Sequence, residues 1–217
     1  MVAEQLQARG ITDQRVLAAI GSVPREAFVP ESESDDAYAD RALAIEGGQT
    51  ISQPWIVAAI CQGLELAGVE TVLEVGTGSG YSTAVLARLS LAVISIERIE
   101  RLAVSARARL AALGPQDVEV RIGDGSLGLP ERAPYEAIAV HAGVPSPPAA
   151  LLEQLAPGGR LVVPVARAGE EILTRFRRRP GPEQEGSGSF SREPLARCRF
   201  VPLIGEQGYP PQSAGSG

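Results

Sequence analysis

The amino-acid sequence predicts an α/β protein whose parallel sheet is covered by helices on both faces. Three observations carry that expectation. Apolar, β-branched runs alternate with amphipathic stretches of helical period between Thr71 and Val165, as in sheets whose strands are joined by crossover helices. A glycine-rich turn, Gly76-Thr77-Gly78-Ser79-Gly80, follows the first of those runs without a gap. A length of 217 residues, with 44% apolar and 21% charged side chains, suits one such domain with small additions.

Taken in order, residues 2–9 and 13–20 read as two short helices broken at Gly10, with Thr12 or Asp13 as a cap. Pro24 to Pro30 is turn-rich, and Ser32 to Asp36 is acidic and exposed. Gly47-Gly48-Gln49-Thr50-Ile51-Ser52 leads into Pro54, a residue suited to the first turn of a helix. That helix runs to about Leu66, with Ile56, Ile60 and Leu64 on one face. Thr71 to Val75 is the first strand of the main sheet, and Ser82 to Leu89 the helix after the glycine turn. Leu91 to Ile96 is the second strand. The next helix, 98–113, has an inward stripe of Ile99, Leu102, Ala103, Ala106, Leu110 and Leu113, and Gly114-Pro115 stops it. Val118 to Ile122 is the third strand, closed by Gly123-Asp124-Gly125. Glu136 to Val140 is the fourth, Pro148 to Leu155 a helix, and Arg160 to Val165 the fifth strand. Two more strands, about 170–177 and 195–203, flank residues 179–192, whose Pro, Gly, Ser and Glu content predicts a mobile hairpin loop. The expected division is an N-terminal helical and substrate-site segment over 1–53, a core over 54–205, and a disordered tail over 206–217.

The glycine turn carries the chemistry. Glycines between a strand and a helix let backbone approach a ligand closely and point amides at it. Glu97 ends the second strand, 17 residues past Gly80, where an acid can accept both hydroxyls of a ribose. A dinucleotide site would show G-x-G-x-x-G; here the spacing is G-x-G-x-G with Glu74 ahead of it. That form resembles motif I of the S-adenosylmethionine-dependent methyltransferases. It favours a methyl donor over NAD and leaves Glu74 to organise the donor's amino end.

Composition narrows the class. The net charge of −6 argues against a nucleic-acid partner; the run Arg175, Arg177, Arg178, Arg179 reads as a solvated face. No apolar run approaches a membrane span and no signal peptide is evident, so a cytoplasmic protein is expected. Cys61 and Cys198 read as free thiols. The absence of lysine and asparagine excludes Schiff-base and P-loop chemistry. His141 is the single histidine, and no Cys/His spacing suggests a metal.

Further motifs sharpen the likeness. Gly48-Gln49-Thr50-Ile51-Ser52-Gln53-Pro54, Val23-Pro24-Arg25 with Phe28-Val29-Pro30, Gly123-Asp124-Gly125 before Ala133-Pro134-Tyr135, Leu152 to Pro164, and Phe200-Val201-Pro202-Leu203 occur in that register. From about residue 5 to 205 the chain resembles the protein-L-isoaspartate O-methyltransferases. The resemblance implies a Rossmann-like seven-stranded methyltransferase sheet. It also implies methyl transfer from S-adenosylmethionine to the free carboxylate of isoaspartyl residues in damaged proteins or peptides; a monomer without a metal is expected. It places Gly76, Gly78, Ser79 and Gly80 at the methionine portion, Glu97 at the ribose, and Asp124 with Gly125 at the adenine. Ser52 becomes the active-site residue, with Gln49 and Thr50 beside it.

The residues make chemical sense alone. A carboxylate of pKa roughly 3.5–4 is already ionised at neutral pH and needs no base. Taken by itself, Ser52 ahead of Pro54 reads as a helix cap, Asp124 equally as a turn residue, and Trp55 as packing. Arg41 and Ala166 stand where the family commonly has proline and glycine, near segments expected to shape the substrate opening. Members that esterify ordinary aspartates share the same core, so substrate choice stays open at this level. A nucleic-acid or amino-nitrogen methyltransferase would carry an Asn/Asp-Pro-Pro-aromatic motif where this chain has Val140-His141-Ala142-Gly143.

Overall fold

A computed structural model describes residues 1–114, 117–180 and 190–211. The expected mobile loop falls largely on residues outside these, as does half of the expected tail.

The N-terminal segment starts with a π-helical turn, Val2–Leu6, and a 3-10 turn, Gln7–Arg9, that ends at Gly10 in the left-handed region. Helix α1, Gln14–Ser22, is capped by Asp13, whose carboxylate accepts from the Arg15 and Val16 amides. Two short strands, β1 (Leu43–Ala44) and β2 (Thr50–Ile51), pair antiparallel and deliver the chain to helix α2, Pro54–Leu64. Pro54 sits in the first helical turn, where its missing N–H costs nothing.

The core alternates β3 (Thr71–Val75), α3 (Tyr81–Leu86), β4 (Ala92–Glu97), α4 (Glu100–Ala112), β5 (Val118–Ile122), β6 (Tyr135–Val140), α5 (Ala149–Glu153), β7 (Leu155–Arg167), β8 (Glu170–Arg178) and β9 (Phe190–Cys198). These strands make one seven-stranded sheet in the order β5-β4-β3-β6-β7-β8-β9. β3 to β7 run parallel, while β8 and β9 are antiparallel additions.

Side-chain alternation divides the core in two. Val72, Val93, Ala137, Ala139 and Val162 pack on the side of α1 to α4. Leu73, Val75, Ile94, Ile96, Ile138, Val140, Leu161 and Val163 pack with Leu151 of α5 on the other. Burial of both faces is why these strands read as continuous apolar runs. Of the stripe expected on α4, Leu102, Ala103, Ala106 and Leu110 are buried. No helix among the described residues is long and apolar enough to cross a membrane.

Two expectations need correction. The last strand is 190–198, not 195–203, because Pro202 and its neighbours leave the sheet edge and bridge instead to Gly143 after β6. The segment 206–211 is held in place: the Glu206 amide donates to Asp124 Oδ2 at 2.7 Å, and Gln207 Oε1 accepts from the Ala150 amide at 3.0 Å. Residues 212–217 lie outside the described residues.

Candidate active site

Strand order reverses at β3, which has β4 on one side and β6 on the other. In open α/β sheets ligands bind beyond the carboxyl ends of the strands at such a point. Those ends carry the glycine turn after β3, Glu97 at the tip of β4, and His141 just after β6.

Gly76, Gly78 and Gly80 all have positive φ, 94°, 53° and 92°, a backbone that side chains with a Cβ adopt at a cost. Their amides do not point at a ligand as expected. Gly76 N donates to Ile96 O, Gly80 N to Thr77 O, and Gly78 N to Glu97 Oε2, each at 2.9 Å. The glycines instead keep the turn low. A Cβ on Gly78 would face open space apart from Ile45 Cδ1 at 3.7 Å, whereas one on Gly80 would come within 3.3 Å of Ala106 Cβ. Gly80 therefore permits close packing of the turn on α4 and does not line the cavity.

The two carboxylates expected at the donor have different surroundings. Glu97 lines the cavity; its Oε2 accepts from Gly78 N and its Oε1 accepts from Ile99 N, both at 2.9 Å. Each oxygen keeps a further acceptor site. Glu74 is fully buried behind the turn, where Thr83 Oγ1 and Ser95 Oγ donate to its Oε2 at 2.5 and 2.6 Å. Its Oε1 lies 3.2 Å from His141 Nε2, close enough to attract but too poorly aligned to count as a hydrogen bond. The structure puts Glu74 in a polar cluster bracing the turn, away from the cavity surface.

Ser52 is placed from a distance. Buried Arg25 donates from Nη2 to the Ser52 carbonyl and from Nε to the Ala37 carbonyl, both at 2.7 Å, and lies 4.7 Å over the Tyr81 ring. The Ser52 hydroxyl has no hydrogen-bond partner among the described residues. The cap position of α2 belongs to Gln53, so Ser52 is not the helix cap.

Gly125 lines the cavity, and a Cβ there would come 2.4 Å from Val75 Cγ1. Asp124 does not line it. Its Oδ1 accepts from Ser126 N and Oγ at 2.9 and 2.7 Å, and its Oδ2 accepts from Glu206 N. Burial alone would raise its pKa, but the Glu206 amide, the Ser126 donors and the Arg98 charge hold it below the ordinary value.

Two cavities meet here. The inner one is lined by Gln49, Thr50, Ser52, Gly76, Gly78, Ser79, Glu97 and Gly125, together with Arg98, Ile99 and Val201 to Ile204. The outer one is lined by Arg9, Gln53, Trp55, Arg197, Cys198, Arg199 and Phe200. Thr50, Ser52, His141 and Val201 line both. Sequence reading assigned no role to Val201 to Ile204, although their motif had been noted; only the chain's return from β9 brings them to the site. Trp55 does more than pack, since its Nε1 donates to Arg9 O at 3.2 Å at the rim. Burial, with Glu171 nearby, pushes the Cys198 thiol up to about 12, which leaves it protonated and a poor nucleophile.

A family model described as protein-L-isoaspartate(D-aspartate) O-methyltransferase matches residues 1–208. The chain belongs to this family. It is 52% identical over 210 residues to protein-L-isoaspartate O-methyltransferase 2 of Pelobacter propionicus, spanning 96% of this chain and 91% of that one. It is 53% identical to protein-L-isoaspartate O-methyltransferase 1 of Rhodopseudomonas palustris, over 96% of this chain and 83% of the relative. A solved protein-L-isoaspartate O-methyltransferase superposes with a TM-score of 0.81 at 28% identity, over 96% of this chain and 67% of the other. A Plasmodium falciparum structure described as the same enzyme, in complex with S-adenosyl-L-homocysteine, superposes with a TM-score of 0.78 at 23% identity, over 94% and 96% of the two chains. Of the departures from the family's usual residues, Arg41 pairs with Asp36 at 2.6 Å on the surface and lines neither cavity. Ala166 is fixed in the sheet, its amide donating to Val144 O at 2.9 Å.

Proposed function

We propose that the inner cavity holds S-adenosylmethionine, that the outer cavity receives an isoaspartyl side chain, and that transfer takes place where Thr50, Ser52 and His141 line both. Methylation of isoaspartyl residues for protein repair, with S-adenosylmethionine as donor, is the function of this chain as a member of its family. The meeting of the two cavities at Ser52 carries the assignment of roles.

The inner cavity suits the donor. Glu97 offers its remaining acceptor sites to a ribose diol, and the low turn at Gly76 to Ser79 leaves room for a methionine chain. Ile99, Gly125 and Leu203 offer an apolar slot to a purine, and Gln49 and Thr50 close the near side. The donor supplies a sulfonium-bound, electrophilic methyl group. The protein has only to align an ionised carboxylate with it, and orientation of this kind is worth up to ~7–11 kcal/mol. Ser52 Oγ, unbonded and held by Arg25 through the residue's own carbonyl, is a donor that can orient one carboxylate oxygen. Asp124 supports the adenine end indirectly by clasping the segment from Leu203 to Glu206.

Residues 1–53 are read as the substrate-side segment and 54–205 as the core. We read the protein as a monomeric, cytoplasmic enzyme acting on isoaspartyl proteins or peptides without nucleic acid or membrane; the net charge of −6 supports the absence of a nucleic-acid partner. Labelled S-adenosylmethionine with paired isoaspartyl and aspartyl peptides tests the function. Alkali-labile label on the isoaspartyl peptide alone is expected; alkali-stable label, or equal labelling of both peptides, would overturn it. The rate should stay flat from about pH 6 to 8, since the acceptor is ionised throughout.

A further inference from the structure

We infer that this enzyme selects isoaspartyl sites with an acidic neighbour, through Arg199 assisted by Arg197 and Arg9. The inference rests on the outer cavity being the peptide site.

The protein carries a net charge of −6, yet the outer cavity is lined by three arginines and no carboxylate. None of the three lines the inner cavity, so they stand back from the place where the acceptor carboxylate meets the methyl group. The charge they offer is therefore directed at a second anionic group of the same peptide.

Nearby acids offset only part of it. Arg9 pairs with Asp40 and stacks 4.9 Å over Trp55, and Arg197 pairs with Glu170 at 3.2 Å. The Glu171 carboxylate is committed to the Phe200 amide at 2.6 Å. Arg199 has no hydrogen-bond or ion-pair partner among the described residues. The Arg197–Glu170 pair is 80% and 52% exposed at its two side chains, and such surface pairs contribute little. Arg197 can thus exchange Glu170 for a substrate carboxylate at little cost. Arg199 needs no exchange at all. Its attachment two residues before Val201, which lines both cavities, puts its reach within a residue or two of the reacting group.

Steady-state methylation of isoaspartyl peptides that differ only in carrying Glu, Gln or Arg beside the isoaspartyl residue, on either side, tests this. Wild-type enzyme should prefer Glu over Gln by about fivefold in kcat/KM and disfavour Arg, chiefly through KM. The preference should shrink at 0.5 M salt, where the screening length falls to roughly 4 Å. Arg199→Gln should bring the Glu-to-Gln ratio below about twofold. S-adenosylhomocysteine affinity, measured on the same variant, should match wild type and so report an intact fold. Equal kcat/KM for all peptides, or a preference that survives Arg199→Gln and Arg197→Gln together, would overturn the inference while isoaspartyl methylation stands. Failure to methylate any peptide would overturn the peptide-site reading and the inference with it.

Discussion

Arg25 Nη2 donates to the carbonyl of Ser52 at 2.7 Å across 27 positions of sequence. A fully buried guanidinium thus fixes the backbone of Ser52, which lines both cavities and whose hydroxyl has no partner among the described residues. Desolvation lowers the Arg25 pKa, offset in part by Tyr81, and a guanidinium remains a cation at neutral pH. Arg25→Met would leave the Ala37 and Ser52 carbonyls without their donor, costing about 2–4 kcal/mol of stability. Urea unfolding should show that loss. Turnover should fall further than donor affinity does, with Arg25→Lys partly restoring it. Equal losses in both would make Arg25 a fold residue only.

Ser52→Ala should lower kcat by about 10–150-fold, since a hydrogen bond to a charged group is worth roughly 1.5–3 kcal/mol. Affinity for S-adenosylhomocysteine should change much less, because the hydroxyl acts on alignment of the acceptor. Single-turnover kinetics separate the two, and unaltered turnover would remove Ser52 from the reaction.

Glu97→Ala should weaken S-adenosylmethionine and S-adenosylhomocysteine in parallel by roughly 2–4 kcal/mol, for the ribose bonds lost. The amides of Gly78 and Ile99 also lose their acceptor, so thermal stability should fall too. Peptide KM should barely move. Calorimetry with S-adenosylhomocysteine decides it; equal binding by variant and wild type would take Glu97 out of the donor site.

Asp124 makes stability depend on pH in a predictable direction. Its pKa is depressed in the folded state by the Glu206 and Ser126 donors against the opposing effect of burial. A depressed carboxylate contributes stability above its unfolded pKa and loses it as pH falls through the folded value. Asp124→Asn should therefore cost about 1 kcal/mol at pH 7, with partial solvent access screening the charge. The difference from wild type should shrink as pH falls below the ordinary aspartate value of about 3.9 and through the depressed folded value, where wild-type Asp124 takes up its proton. A gap that does not shrink in denaturant titrations carried from pH 7 down through the acid range would refute the clasp on Glu206.

Local physics made much of this molecule readable in one dimension. Strands buried on both faces show as apolar runs such as Ala137 to Val140, and Pro54 and Asp13 mark helix starts by their own chemistry. The spacing from the glycine turn to Glu97 is likewise set by one strand–helix–strand unit, which brings Gly76, Gly78, Ser79 and Glu97 to line one cavity. What required the tertiary structure was every relation between segments distant in sequence. Glu74 is spent on Thr83 and Ser95 beneath the turn, because the buried strand end offers a carboxylate no water and it must find donors there. Asp124 is taken up by Glu206, 82 residues on, and Ser52 is held by Arg25. Residues 199–204 reach the site only because β9 returns the chain beside β6, closing both cavities with a segment that has no periodicity of its own. The sequence by itself determined the elements and the donor motif. The tertiary structure decided which polar groups remained free to meet a substrate, because each buried donor or acceptor must first be satisfied by whatever the fold brings near it.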